Sequence, residues 1–463
     1  MLDVNDSEIG SSRDVSGKND PVVIPESEHS IRTHDLDKEA LKVLYRLRDA
    51  GFTGYLVGGG VRDLYLGKRP KDFDISTDAR PGQIRKIFRN SRTIGRRFRL
   101  VQVYFRGGKI IEVSTLRSQS EFDIKDADKV LPSNNTFGTL AEDALRRDLT
   151  INSLFYEIEN HTIIDYVGGV KDLDQGIVRI VGEPDRRMTR DPVRMMRAVR
   201  HAARNDFRID PETWKAIIAN CEKLNLCPPS RIRDELLKDL RGGASEAWIR
   251  IVLECGIFYT LFPLYRGLLN SRESTGHREL LLALFRVVDR ISQRSVRDGL
   301  RLEIPDHFLL ALLILPWAME KFNLLQQHQK RQAFYQLSRE IRSGIDEFFI
   351  DGFSLKRMAK ESMAMLLVNL ATFARHHQKR NWPKWLRNKS YFHDCFLFYS
   401  LFAEAQGLQK ADEKLFVALH SGDGIESHSI STRNNGAGRS KGRRGTRPAF
   451  TNRKQGVFGL RNK

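Results

Sequence analysis

Cysteine is nearly absent from this chain, with four residues, at 221, 227, 255 and 395, among 463. That scarcity excludes a disulfide framework, and Cys221 and Cys227 stand too far apart for a zinc knuckle. Long apolar runs are missing as well. The longest, Phe308 to Leu315, stops at Pro316, far short of the roughly 20 residues a membrane span needs. The first ten residues, MLDVNDSEIG, have neither the basic start nor the apolar stretch of a signal peptide. These absences predict a soluble protein of a reducing compartment, cytoplasmic and without a membrane partner. Acid is the scarcer charge, 58 Asp plus Glu against 77 Lys plus Arg, for a net +19. Such a surplus favours polyanionic partners, nucleic acid ahead of anionic membrane. A hydrophobic content of 40% is enough to build cores.

The charge is unevenly spread. Residues 1–34 carry about −4 with no apolar periodicity, which predicts a disordered acidic segment. Residues 433–463 hold ten Lys or Arg and no acid, and their Gly, Ser and Asn content predicts a flexible basic arm, taken as 426–463. Between the tails the pattern changes once. Leu36, Ala40, Val43, Leu44 and Leu47 share one face of a first helix. Gly54–Val57 reads as a strand that breaks at Gly58-Gly59-Gly60 into a helix. Asp72–Ser76, Val101–Phe105 and Ile110–Ser114 read as further strands, with a helix over Pro81–Phe88. A loop is expected over Glu121–Asn135, a helix over 139–155, and short edge strands at Ile163–Tyr166 and Val178–Val181. From Asp191 to about 420 the periodicity is almost wholly helical. The fold expected is α+β, a head with a small mixed sheet and helices, followed by an all-helical remainder.

The segment LVGGGVRDLYLGKRPKDFDIST, Leu56 to Thr77, concentrates the chemistry. A strand ending in three glycines and opening a helix lets backbone approach a phosphate, and Arg62 adds a charged donor. Asp72 and Asp74, two apart on a strand, share a face while Phe73 and Ile75 turn into the core. Neighbouring carboxylates repel unless a cation lies between them, and oxygen-only ligands suit Mg²⁺ or Mn²⁺. An isolated Asp-x-Asp is more often a solvated strand edge; here it follows a phosphate-type turn. Two metals so held fit in-line nucleotidyl transfer. Gly95-Arg96-Arg97-Phe98 offers guanidinium groups to a triphosphate or an RNA backbone. Arg146-Arg147-Asp148, expected near a helix middle, sets opposite charges side by side. Asp191, Arg194, Arg197 and Arg200 recur at three-residue steps on one helix. Arg-rich helix faces are commonly just solvated, but the leading Asp191 with Arg194 offers an acceptor and a donor for adenine's Watson–Crick edge.

With these residues in view, the chain resembles the class II polymerase-β-like nucleotidyltransferases, the bacterial poly(A) polymerases and CCA-adding tRNA nucleotidyltransferases. Gly58 to Asp63, Asp72-Phe73-Asp74, Arg146 to Asn152 and Asp191-Pro192-Val193-Arg194 match that family's motifs in order and approximate spacing, over about 40 to 260. The resemblance implies a head (35–185), a neck binding base and RNA (186–260), and a helical body and tail for RNA (261–425). It implies Asp72 and Asp74 as Mg²⁺ ligands, with Mn²⁺ as a substitute, and Asp148 as the third catalytic acid. Gly59, Arg62, Arg147, Asp191, Arg194, Arg197 and Arg200 are the implied nucleotide contacts.

Two departures stand out. Arg190 precedes Asp191 where the family usually has Glu, and the Glu121–Asn135 loop is short for a poly(A) polymerase. Glu112, on a neighbouring strand, rivals Asp148 as third carboxylate, its plainer reading being an exposed strand Glu. The Gly95-to-Leu100 run and the basic arm resemble the poly(A) polymerase branch, since a disordered basic arm suits a primer of no fixed shape. No HxHD signature is present, and His393-Asp394 reads as helix surface. The expected activity is therefore addition of AMP from ATP to RNA 3′ ends, with CCA addition to tRNA as the alternative. A catalytically silent RNA-binding protein would have lost the Asp-x-Asp or the glycine turn; both are intact.

Overall fold

The computed structural model describes residues 20–95, 99–118, 137–269, 275–298, 303–326, 331–349, 353–379 and 381–416. The start of the acidic segment, Arg96 to Phe98, the whole loop expected over 121–135 and the basic arm lie outside them. In chain order the head comprises β1 (Val22–Ile24), α1 (Lys38–Asp49), β2 (Gly54–Val57), α2 (Gly59–Tyr65), β3 (Asp74–Thr77), α3 (Pro81–Ile87), β4 (Ser91–Ile94), β5 (Leu100–Tyr104), β6 (Ile110–Thr115), α4 (Leu140–Arg146), β7 (Leu154–Glu157) and β8 (Thr162–Asp165). The eight strands form one mixed sheet in the order β1-β8-β7-β2-β3-β6-β5-β4. Every pairing in it is antiparallel except β3 with β6.

Side-chain alternation splits the sheet's two faces. Leu56 of β2 and Leu154 and Tyr156 of β7 join the main core beneath α1, whose Ala40, Val43, Leu44 and Leu47 are buried there. Val57 and Phe155 point the other way, into a small cluster with Leu116 and Ala144 under α4. Asp37 starts α1 by accepting from the amides of Glu39 and Ala40.

Several expectations are corrected here. Residues 20–34 are not a disordered segment: β1 pairs with β8, and Ile24 and Ile31 are buried. The helix expected over 139–155 ends at Arg146, and residues 154–157 form β7, an interior strand. The strand expected from Asp72 begins at Asp74. The 163–166 segment is not an edge, because β8 lies between β1 and β7.

Helices then dominate. After α5 (Gly169–Asp174) and β9 (Ile177–Val178) come α6 (Pro184–Arg190), α7 (Val193–Asn205), β10 (Arg208–Ile209), α8 (Pro211–Asn220) and α9 (Pro229–Leu240). The short β10 pairs in parallel with β9, the one break in the helical pattern among the described residues. The body follows as α10 (Ser245–Glu254), α11 (Ile257–Leu261), α12 (Tyr265–Leu269), α13 (Thr275–Asp298), α14 (Asp306–Phe322), α15 (Arg331–Phe348), α16 (Arg357–Val368), α17 (Leu370–Gln378), α18 (Lys384–Arg387) and α19 (Phe392–Ala405). The apolar run beginning at Phe308 belongs to α14 and is buried continuously through Ala318, as a helix apolar on all sides must be. Among the described residues no helix is long and apolar enough to cross a membrane.

Candidate active site

The site forms where β2 ends and β3 begins. Val57 is paired with Asp74, so the turn after β2 opens beside that carboxylate. Gly58 has φ 69° and ψ −134°, a conformation essentially reserved for glycine. A Cβ there would stand 3.4 Å from Arg147 Nη1, and one on Gly59 would stand 3.3 Å from Arg62 Nη2. The missing side chains leave the backbone open beside two guanidinium groups, the cradle expected of a phosphate site.

Asp74 is paired on its other side with Glu112 of β6. Phe73 and Ile75 are buried while Asp72 and Asp74 reach the surface, although Asp72 and Phe73 precede the strand itself. Desolvation by the protein around it first, then the charges of Glu112 and Asp72, push the Asp74 carboxyl up to about 6, against the pull of Arg147. Glu112 itself accepts from Gln102 Nε2 at 2.8 Å. Among the described residues no three His, Cys, Asp or Glu side chains are gathered as a ready-made metal cage. Two crowded carboxylates have the oxygen chemistry that a hard cation such as Mg²⁺ takes, with waters and phosphate oxygens to complete its shell.

Asp148 does not join this group. It follows the end of α4 rather than lying mid-helix, and its two oxygens accept from Arg194 Nε at 2.7 Å and Arg197 Nη1 at 2.9 Å. Burial alone would raise its pKa, yet Arg197 and Arg194 hold it below the usual carboxylate range. Asp148 therefore anchors the α7 arginines, while the carboxylates acting on Asp74 are Glu112 and Asp72.

The implied nucleotide contacts divide. Arg147 donates to Asp143 at 2.9 Å, to Ser76 Oγ and the Asn152 carbonyl at 3.3 Å, and stacks on Phe155 beside Gly58. Arg62 is buried and donates to Asp63 and Asn152, both at 2.6 Å, with His201 Nδ1 3.1 Å away. Burial and then Arg62 push the His201 pKa well down, so this ring is neutral at neutral pH. Asp191 lies in the break between α6 and α7; Arg231 of α9 donates to its Oδ2 at 2.9 Å, while its buried Oδ1 has no partner among the described residues. Arg194 reaches Asp148 through Nε and the Arg187 carbonyl through Nη1 at 3.1 Å. Arg197 remains partly exposed.

Arg200 is a correction. It is buried against α9 and paired with Glu235 at 2.5 Å and with Asp239, so it holds two helices together instead of facing a nucleotide. Sequence reasoning assigned no role to Asn152, His201, Asp143 or Arg231. Asn152 lies inside the Arg146-to-Asn152 motif, Asp143 is one helical turn before Arg147, and His201 follows Arg200. Arg231, forty residues from Asp191, has no local signal.

A glycine turn, a repelled carboxylate pair and an arginine-lined helix junction define a nucleotidyltransferase head joined to a helical neck and body. The chain belongs to the bacterial poly(A) polymerase and CCA-adding nucleotidyltransferase family. Residues 54–179 match the family described as "Poly A polymerase head domain", and residues 206–268 match "Probable RNA and SrmB- binding site of polymerase A". Poly(A) polymerase I of Escherichia coli O6:H1 is 49% identical over 248 residues, 52% of this chain and 53% of that protein. The chain thus spans about half the length of that relative. Poly(A) polymerase I of Haemophilus influenzae is 37% identical over 316 residues, 66% of this chain and 68% of that protein. The crystal structure of the Bacillus stearothermophilus CCA-adding enzyme in complex with CTP shares the fold with a TM-score of 0.59 at 25% identity. The match covers 82% of this chain and 80% of that one.

Proposed function

We infer that this chain is a template-independent RNA nucleotidyltransferase that adds AMP from ATP to RNA 3′ ends. The observation that carries the reading is the Asp72–Asp74 pair beside the Gly58 turn, with Asp191 Oδ1 left as a buried, unpartnered acceptor. In the reaction the primer's 3′-oxygen bonds to the α-phosphorus, the bond to the β-phosphate oxygen breaks, and pyrophosphate leaves. Asp72 and Asp74 would hold the divalent cation, Mg²⁺ or Mn²⁺, with Glu112 rather than Asp148 as their carboxylate neighbour. When bound, that cation favours ionisation of the attacking hydroxyl and neutralises the leaving pyrophosphate. Arg62 and Arg147, fixed by Asp63, Asn152 and Asp143, present positive charge to the triphosphate. Asp191 Oδ1 accepts from the adenine amino group, and Arg194, steadied by Asp148, donates toward the ring nitrogen.

Poly(A) rather than CCA addition is favoured by the 49% identity to a protein named poly(A) polymerase I. The test is to supply each single NTP with an unstructured RNA or with tRNA lacking its terminal CCA. ATP-dependent extension of the unstructured RNA is expected. Asp74→Asn should reduce it to below about a tenth without unfolding the protein. Extension confined to the tRNA, with CTP required first, favours CCA addition, and a fully active Asp74→Asn protein refutes the carboxylate assignment.

A further inference from the structure

The body carries a second feature that the catalytic reading leaves unused. From residue 362 to residue 393 the chain has no Asp or Glu but six Lys or Arg, together with three His and two Trp. The two tryptophans have different fates. Trp382 packs against Phe373 at 5.4 Å, Phe392 at 5.9 Å and Phe396 at 5.4 Å between ring centroids, pinning the segment that joins α17 to α19. Leu386, fully buried, ties down α18 within that segment. With Leu386 turned inward, its neighbours turn outward, and Lys384, Trp385, Arg387 and Lys389 are all exposed, as is Lys379. Trp385 is 55% exposed, and its ring has an edge contact with His376 at 6.0 Å. Lys379, Lys384, Arg387 and Lys389 form no ion pair with any carboxylate of the described residues.

A single exposed apolar side chain is ordinary, and what sets Trp385 apart is its place among cations. Four unpaired cations on the same rigid segment select an anionic partner, and a flat ring among cations selects one whose charges alternate with flat bases. We propose that this α17–α19 face is a single-stranded RNA holding site, in which a base stacks on Trp385 while Lys379, Lys384, Arg387 and Lys389 contact the flanking phosphates. Stacking needs an unpaired base, so the face discriminates against duplex. The inference takes its ligand from the RNA-extending reading and adds a point of grip on the primer away from the reacting end.

Anisotropy of a labelled single-stranded oligoadenylate, and of the same strand annealed to its complement, measured with the full chain, tests this without relying on catalysis. Trp385→Ala should weaken single-strand binding about tenfold and leave duplex binding nearly unchanged, while Trp385→Phe, which keeps a stacking ring, should stay near the unaltered protein. The double variant Lys384→Ala/Lys389→Ala should flatten the log–log salt slope by about 1.4, roughly 0.7 for each phosphate released. Catalytic turnover at saturating primer should be unchanged in all three. Unaltered affinity and slope in these variants overturn the proposal and leave the face to a protein partner; equal losses on single strand and duplex overturn the stacking. A chain that binds through Trp385 yet adds no nucleotide to any RNA would refute the proposed function alone.

Discussion

At the scale of single residues, Asp74 has the most informative environment. Its carboxyl is pushed from an ordinary 3.8 up to about 6 by desolvation and by the charges of Glu112 and Asp72. Between those values the folded, metal-free chain holds a proton that the unfolded chain has released. The group's contribution is therefore most favourable below about pH 4 and is lost as the pH rises to about 6. Asp74→Asn keeps the shape and cannot ionise. In chelator, its Tm advantage over the unaltered chain should grow across that window, as thermal melts at stepped pH would register; a constant difference would mean that the Asp74 carboxyl is not raised. Asp191 is diagnostic in another way. Arg231 fixes one of its oxygens and the other is buried without a donor among the described residues, an arrangement that is costly until a ligand supplies one. Asp191→Ala should lower ATP-over-CTP discrimination by about 1–3 kcal/mol while changing triphosphate affinity far less. Competition between the two nucleotides reads this directly, and an unchanged incorporation ratio would remove Asp191 from base selection.

Elements differ in how plainly the sequence announces them. Helix α1 is legible because one stripe of Ala40, Val43, Leu44 and Leu47 is buried, with Leu36 buried just before it, and β5 because its residues alternate between partly and fully buried. Strand β7 is not. Leu154, Phe155 and Tyr156 are buried on both faces of the sheet, so no alternation separates them from the helix before. Strand β4 escapes for the opposite reason: it is an edge with no fully buried residue. At the site, the glycine turn and the Asp72–Asp74 pair are visible because their chemistry is local. The sequence leaves two candidates for the third carboxylate, because Asp148 stands in the motif whereas Glu112 reaches Asp74 only through the parallel pairing of β3 with β6. Arg200 continues the three-residue rhythm of Arg194 and Arg197, but that rhythm turns around the helix and carries Arg200 to the α9 side, where Glu235 and Asp239 meet it.

Charge is the property that belongs to the whole molecule. The net +19 is not a uniform field, because residues 433–463 alone bring ten bases and no acid. In the body, the α17–α19 face adds unpaired cations on a fixed scaffold. These are two kinds of electrostatic grip. Cations on a fixed segment can set the path of a strand, whereas a Gly- and Ser-rich basic stretch, as composition alone describes the arm, offers affinity without geometry. Removing the arm by truncation after residue 432 should therefore weaken RNA binding on single strand and duplex alike, since a cation on a phosphate does not distinguish bases. It should also flatten the salt dependence by about 0.7 for each phosphate the arm had neutralised. The Trp385→Ala loss, by contrast, should persist at high salt, because stacking is not screened. Turnover at low salt and saturating primer should survive truncation, the carboxylate pair and the Gly58 turn both lying in the head. Primer affinity measured across a salt series for the full and truncated chains decides the matter, and identical slopes would mean that the arm touches no phosphate.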